Sequence, residues 1–171
     1  MSGRKEVSDA AIDAIRRYGT SASGSRLLAG EKSLDWELER ALADWKHAED
    51  ALVLVGGHST NVTFVGNFCH DGDLILYDAL IHNSVAEGCR LAPATARPFP
   101  HNDWEALERI LERRRDKFAK VLICVEGVYS MDGDIAPVPE FVRIKKKYDC
   151  FLMVDEAHST CVIGKTGGGV D

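Results

Sequence analysis

Two uninterrupted apolar runs constrain the fold of this chain most strongly. Val121–Val125 and Phe151–Val154 contain no charged or hydrogen-bonding polar residue other than the Cys124 thiol. A strand with one face in water alternates apolar and polar residues, whereas an unbroken run is typical of a strand buried on both faces. We therefore predict an α/β fold with a mostly parallel sheet flanked by helices.

The rest of the pattern predicts two further strands and four helices. The strands are expected at Ala51–Val55 and Asp73–Asp78, and the helices at Ala10–Tyr18, from a Ser33 cap to Trp45, from an Asn102/Glu105 capping box through Leu111, and from Pro139 to about Tyr148. The sequence contains no internal repeat and no break in composition. We predict one α/β domain over residues 1–171.

Composition and charge exclude several classes of protein. The net charge of −6 argues against a nucleic-acid-binding surface, which would carry a basic surplus. No apolar stretch approaches the roughly 20 residues of a membrane span, and the polar N-terminus does not resemble a signal peptide. The five cysteines include no Cys-x-x-Cys pair, so we predict reduced thiols, no metal site and a cytoplasmic protein.

Polar clusters follow each predicted strand. They are Gly56–His58, Asp78–His82, Glu126–Ser130 and Asp155–His158. Ligands of open parallel sheets bind at the carboxyl ends of the strands. We therefore predict that these clusters form a single site.

The Asp-Glu-Ala-His sequence at Asp155–His158 also occurs in a helicase family, and Gly164–Thr166 imitates the end of a phosphate-binding loop. That loop requires a glycine five residues earlier, where this chain has Ser159. In helicases the loop also precedes the acidic motif, whereas here it follows. A nucleotide hydrolase of this type is a remote alternative.

The motifs resemble those of the α-oxoamine synthases, a family that includes aminooxononanoate synthase, aminoketobutyrate CoA ligase, aminolevulinate synthase and serine palmitoyltransferase. The resemblance runs from about Ala10 to Gly169. It rests on Tyr18–Thr20, Ser23–Arg26, Asp71–Leu76, His101–Asp103, Glu126–Asp134 and Asp155–His158.

This resemblance implies the large domain of the fold-type I transferases that depend on pyridoxal 5'-phosphate (PLP). It also implies a homodimer, and a decarboxylating reaction that joins an amino acid to an acyl thioester to give an α-aminoketone. The thioester would be carried by coenzyme A or by an acyl-carrier protein.

The resemblance assigns roles to four side chains. Asp155 would hold the protonated pyridine nitrogen of PLP, which improves the cofactor as an electron sink. His82 would stack on the pyridine ring. Ser130 and His158 would donate to the phenolic oxygen, and His158 could instead contact the substrate.

Backbone groups of Gly57 and His58 would bind the cofactor phosphate at a helix N-terminus. His58 departs from the Tyr or Phe that is usual in the family, so the resemblance gives its side chain no role. Asn61 matches a family asparagine. Glu126 could face the cofactor or acyl pocket, and Arg26 could meet a substrate carboxylate or anchor its own segment.

The family's Schiff-base lysine lies beyond the position that matches Asp171, and Lys165 lacks the aromatic-Ser/Thr-Lys context. We therefore expect this chain to be a fragment of a longer enzyme and to be inactive alone. A non-catalytic partner subunit of such an enzyme is the alternative.

Overall fold

A computed structural model describes residues 3–170. Within it the chain forms two compact units that divide after Val53. Whether the two units make up one domain stays a prediction. No helix in the described range is long and apolar enough to cross a membrane.

The first unit is helical. Its elements are α1 (Lys5–Tyr18), a single π-helical turn (Arg26–Gly30) and α2 (Ser33–Lys46). Both predicted helices are confirmed, and α1 begins five residues earlier than expected. Ser33 is the first residue of α2 rather than its cap: the cap is Lys32, whose N–H donates to the Asp35 carboxylate at 3.0 Å, and the Ser33 hydroxyl lies 3.1 Å from the Tyr18 hydroxyl.

The predicted strand at Ala51–Val55 is wrong, since this segment has no regular structure. Side chains satisfy the backbone of Val53 instead of a neighbouring strand. The Val53 N–H donates to Glu39 at 2.8 Å, and its carbonyl accepts from Arg26 at 2.9 Å. Arg26 also pairs with Glu39 and Glu31, so the guanidinium anchors its own unit, as one of the two hypotheses for it had proposed.

The second unit contains the parallel sheet. Its elements are α3 (Gly57–Phe68), β1 (Leu74–Asp78), α4 (Asn83–Leu91), β2 (Thr95–Phe99), α5 (Trp104–Arg114) with a 3₁₀ turn (Arg115–Lys117), β3 (Val121–Glu126), α6 (Val138–Lys147) and β4 (Phe151–Asp155).

The four strands pair in the order β2-β1-β3-β4, and every pairing is parallel. This confirms the predicted fold class. The pattern did not predict β2, which lies at one edge of the sheet, is largely exposed and contains Pro98. Proline is tolerated at a sheet edge because the missing N–H removes no bond from the interior.

Helices cover both faces of the sheet. On one face, Leu76 and Ile123 pack in a core with α5 and α6 residues such as Leu107 and Phe141. On the other face, Ile75 and Leu122 pack in a core with residues of α3 and α4. This arrangement explains why every residue of β3 is buried.

Two predictions at the ends of elements are corrected. β4 is a partly exposed edge strand rather than one buried on both faces, because it pairs only with β3 in the described chain. The capping residue of α5 is Asp103, whose carboxylate accepts the Ala106 N–H at 2.7 Å. Asn102 cannot serve as the cap, since its backbone is left-handed (φ 53°) and its side chain is bonded to Asp134.

Gly88 allows α3 and α4 to approach closely. A Cβ on Gly88 would lie 2.7 Å from the Cβ of Val65 and 3.1 Å from the carbonyl oxygens of Asn61 and Val62. Backbone atoms cannot move aside as a flexible side chain can. The contact therefore requires glycine at this position of α4.

We expect Gly88→Ala to lower the free energy of unfolding by about 1–3 kcal/mol through overpacking. The matched control is Gly66→Ala on α3, whose new Cβ would lie 3.4 Å from the Leu91 Cβ. That variant should keep the stability or raise it by up to about 1 kcal/mol, because alanine favours a helix over glycine. Urea denaturation followed by circular dichroism measures both, and equal midpoints for the two variants would contradict the interpretation.

Candidate active site at the carboxyl edge of the sheet

Three neighbouring strands finish in an acidic residue, and these residues lie together along the carboxyl-terminal ends of the strands. We call this side of the sheet its carboxyl edge. Asp78 is the last residue of β1, Glu126 of β3 and Asp155 of β4, and Glu126 and Asp155 are register partners. The predicted clusters at these strand ends therefore share an edge. The fourth cluster, Gly56–His58, follows no strand and instead opens α3.

Asp155 is the centre of a set of hydrogen bonds. Its Oδ2 accepts from Asn61 Nδ2 on α3 at 2.7 Å, and its Oδ1 accepts the Ala157 N–H at 3.0 Å. The same Asn61 nitrogen lies 3.0 Å from Ser84 Oγ on α4. Asn61 thus connects β4 to both helices and binds one oxygen of the Asp155 carboxylate.

His82 caps α4 with its ring. Its Nδ1 accepts the Ser84 N–H at 3.2 Å and lies 2.7 Å from Ser84 Oγ. Since Nδ1 is an acceptor, a neutral ring carries its proton on Nε2. Ser84 can donate its hydroxyl proton to His82 while accepting from Asn61, so a continuous hydrogen-bonded chain connects Asp155, Asn61, Ser84 and His82.

Ser84 is a functional residue that the sequence analysis missed. It is fully buried, and its hydroxyl contacts both Asn61 and His82. The signal for it was the His-Asn-Ser sequence at the start of an unpredicted helix, where short polar side chains cap backbone groups.

The N-terminus of α3 presents backbone donors. Within residues 3–170, Gly56 makes no capping side-chain hydrogen bond there, and a Cβ on Gly57 would meet nothing within 4 Å. The first N–H groups of a helix have no partner within it and carry positive partial charge. This open end of α3 can bind an anion.

The His58 side chain extends from this helix end toward α4. Its Nε2 lies 3.2 Å from a Glu87 carboxylate oxygen, and its ring stands edge-on to that of His82 with centroids 6.2 Å apart. His58 therefore contacts both Glu87 and His82 on α4.

Glu126 is a buried carboxyl beside Asp155. Burial raises the pKa of Glu126 and the charge on Asp155 raises it further, while backbone N–H groups of His82 and Ser130 act in the opposite direction. Ser130 lies at the exposed tip of a turn after β3. The Glu126 carboxyl thus lies within reach of backbone N–H groups from both the Ser130 turn and His82.

His158 lies on the exposed turn that follows β4. Within residues 3–170, no hydrogen bond or ion pair involves its ring. The predicted residues of the second unit therefore gather at one edge of the sheet, with the Asp155 chain at the centre, Gly57 and His58 on α3, and Ser130 and His158 on adjoining turns.

The structure gives no support to a phosphate-binding loop at Gly164–Thr166. Residues 157–167 form successive turns and bends, so Gly164–Thr166 do not open a helix as the end of such a loop does. In the described part of the chain, no group of His, Cys, Asp and Glu is arranged to hold a metal ion.

Comparison with known proteins identifies relatives over nearly the whole chain. It is 43% identical to 8-amino-7-oxononanoate synthase of Geobacter sulfurreducens and 40% identical to that of Alkaliphilus metalliredigens, in each case over 99% of the chain. The solved structure of Sphingomonas wittichii serine palmitoyltransferase matches with a TM-score of 0.92 at 36% identity over 98% of this chain. That of 8-amino-7-oxononanoate synthase from Francisella tularensis matches with a TM-score of 0.81 at 25% identity.

The chain spans less than half the length of these proteins. It covers 43% of each of the two sequence relatives, and 42% and 45% of the two structures. The family model described as "Aminotransferase class I and II" matches residues 1–169. The chain belongs to the aminotransferase class I and II family.

Proposed function

We propose that the protein is a PLP-dependent C-acyltransferase of the α-oxoamine synthase class. It would condense an amino acid with an acyl thioester, carried by coenzyme A or a carrier protein, and release carbon dioxide. The similarity to 8-amino-7-oxononanoate synthases and to serine palmitoyltransferase supports this class. The observation that carries the proposal is the hydrogen-bonded chain from Asp155 to His82 beside the open end of α3.

The residues at this edge fit PLP. When bound, PLP would supply an electron sink for the bonds around the α-carbon of the amino acid. Asp155 offers a fixed carboxylate to a protonated ring nitrogen, and such a charge-assisted hydrogen bond is roughly twice as strong as a neutral one. Asn61 orients that carboxylate from the side without neutralising it.

The phosphate would bind at the start of α3. The backbone N–H groups of Gly57 and His58 are the donors, and the absence of a Cβ at Gly57 lets a phosphate oxygen approach the backbone. Because these contacts use the backbone, they do not depend on which side chain stands at position 58.

The exposed His82 ring would stack on the pyridine ring and shield the reacting carbon from water. Ser84 fixes the His82 ring by two contacts, so little rotational freedom is lost on stacking. Ser130 and His158 would donate hydrogen bonds to the phenolic oxygen, and His158 could move a proton at the substrate. These assignments make Asp155, His82 and His158 the catalytic candidates.

We further propose that the Schiff-base lysine lies outside residues 1–171, and that this chain does not complete the reaction alone. The full enzyme would be a cytoplasmic homodimer. Sequencing the source gene past codon 171 tests the first point: an aromatic-Ser/Thr-Lys motif should follow in frame, and a reading frame that lacks one would count against an active synthase.

We expect Asp155→Asn to weaken PLP binding by about tenfold or more, because a hydrogen bond to a charged group is worth about 1.5–3 kcal/mol. Titration of the chain with PLP, followed by absorbance and tryptophan fluorescence, measures the affinity. The control Asp71→Asn changes an exposed aspartate in the turn before β1, at the opposite edge of the sheet, and should bind as the unchanged chain does. Equal weakening in both variants, or no PLP binding by the unchanged chain, would refute the proposed function.

The two roles of His82 can be separated by a pair of variants. His82→Phe keeps a flat ring but loses the cap on α4, whereas His82→Asn keeps a capping side chain but loses the ring. We expect PLP affinity to survive in Phe and to fall about three- to tenfold in Asn, since an aromatic pair is worth about 0.5–1.5 kcal/mol. Stability should follow the opposite order, with a cost of about 0.5–2 kcal/mol for the lost cap in Phe. If affinity followed the cap rather than the ring, stacking would be disproved.

A further inference from the structure

His101 bridges two carboxylates outside the proposed cofactor site. Its Nδ1 lies 2.9 Å from Asp78 Oδ1, and its Nε2 lies 2.8 Å from Asp134 Oδ2. Asp78 ends β1 and is fully buried, while Asp134 belongs to the loop after β3. His101 itself follows β2, so its ring connects the ends of three strands.

This geometry selects the imidazolium form of His101. An ionised carboxylate is only an acceptor, so each ring nitrogen must carry a proton to make both bonds. Asp78 also accepts two backbone hydrogen bonds, from the Leu80 N–H at 2.8 Å and from the Asn102 N–H at 2.8 Å. A neutral His101 ring could satisfy only one of its two carboxylates.

The loop held by Asp134 is a short hairpin that carries Ser130. The Tyr129 N–H donates to the Asp134 carbonyl at 3.0 Å, and the Gly133 N–H returns to the Tyr129 carbonyl at 2.8 Å. Gly133 adopts φ 75°, which closes the turn in a conformation that favours glycine. Tyr129 and Asp134 therefore form the base of this hairpin, and Ser130 lies at its tip.

His101 and Asn102 secure both sides of that base. Asn102 Nδ2 donates to Asp134 Oδ2 at 2.7 Å. The His101 ring packs edge-on against the Tyr129 ring, with centroids 4.4 Å apart. Tyr129 is buried whereas Ser130 is exposed. An antiparallel bridge between Val128 and Ile135 continues the base beyond Tyr129 and Asp134, so these contacts at the base are what hold the exposed turn.

We propose that His101 is a positioning residue, whose imidazolium form bridges Asp78 and Asp134 and thereby fixes the 129–134 hairpin that presents Ser130 to the site. Only the last step, the contact of Ser130 with the cofactor, rests on the proposed function. The hairpin also brings the Ser130 N–H toward the Glu126 carboxyl. A loosened base would therefore disturb that buried group as well.

The bridge makes hairpin order depend on pH. The titratable groups in contact with the ring are Asp78 from β1 and Asp134 and Tyr129 from the hairpin. The neutral Asn102 amide nitrogen also lies 3.3 Å from Nε2. Burial lowers the pKa of His101, but the hydrogen bonds to Asp78 and Asp134 outweigh it and raise that pKa above its usual value. Because the pKa of His101 is higher in the folded chain than in the unfolded chain, protonation of His101 stabilises the fold. This stabilisation is fully present below the unfolded pKa of about 6.5. It is lost as pH rises through the folded pKa.

The decisive measurement follows hydrogen exchange of the hairpin amides in the full chain from acidic to alkaline pH, corrected for intrinsic exchange rates. Nitrogen NMR of the imidazole rings reports the protonation of His101 on the same samples. Protection of the Tyr129 and Gly133 amides should fall about tenfold or more as His101 loses its proton, which is the loss expected for a hydrogen bond to a charged group. Constant protection while the ring deprotonates would overturn the proposal.

Variants test the same bridge from both ends. His101→Gln and Asp134→Asn should each reduce hairpin protection and abolish its pH dependence. The matched controls are His70→Gln, at an exposed histidine, and Asp132→Asn, at the exposed tip of the same hairpin; both should behave as the unchanged chain. If His101→Gln fails to fold, the pH series on the unchanged chain still decides the question.

PLP titration then separates this inference from the proposed function. His101→Gln should weaken PLP binding no more than Ser130→Ala does, and the double variant should match Ser130→Ala alone, because both act through one contact. Additive losses would overturn the positioning role. If the unchanged chain binds no PLP, the proposed function fails, while the exchange data still decide whether His101 holds the hairpin.

Discussion

The parallel pairing of β1, β3 and β4 is the constraint on which the rest of the site depends. Parallel strands end on the same side of the sheet, so Asp78, Glu126 and Asp155 lie together although the first and the last are 77 positions apart in the sequence. Helices on both faces bury the middle of the strands, so polar groups reach solvent or a ligand at the ends of the strands. A shift of one residue in the β3–β4 register would separate Glu126 from Asp155.

Short polar side chains at this edge fix the orientation of the carboxylates through hydrogen bonds. A buried polar group costs free energy unless it is hydrogen-bonded, and Asn61 and Ser84 supply bonds that β4 alone could not provide. The same principle explains the contact between His101 and the fully buried Asp78. The carboxyl ends of the strands therefore carry two neighbouring networks, one around Asp155 at the proposed site and one around Asp78 beside it, and Glu126 lies on the strand between them.

His58 stands where the resemblance to the α-oxoamine synthases implies Tyr or Phe, and this difference is compatible with the networks described above. The proposed phosphate contact uses backbone donors at the start of α3, so exchange of an aromatic residue for His58 leaves those donors in place. The His58 side chain pairs with Glu87 and lies against the edge of the His82 ring. It thus adds a polar contact between α3 and α4, next to the close helix approach that Gly88 permits.

The residue pattern by itself determined the fold class, the strands β1, β3 and β4, and the grouping of Asp155, His82 and Ser130 near strand ends, because unbroken apolar runs and parallel topology are local signals with global consequences. Tertiary structure alone decided that the apolar run Ala51–Val55 does not form a strand. The backbone of Val53 bonds to Arg26 and Glu39 instead of to a neighbouring strand. Tertiary structure also decided that β2 joins the sheet, that Asp103 rather than Asn102 caps α5, and that Ser84 and His101 connect the groups at the edge. These outcomes depend on hydrogen bonds between residues far apart in the chain, and no local periodicity encodes which partner a polar side chain will find.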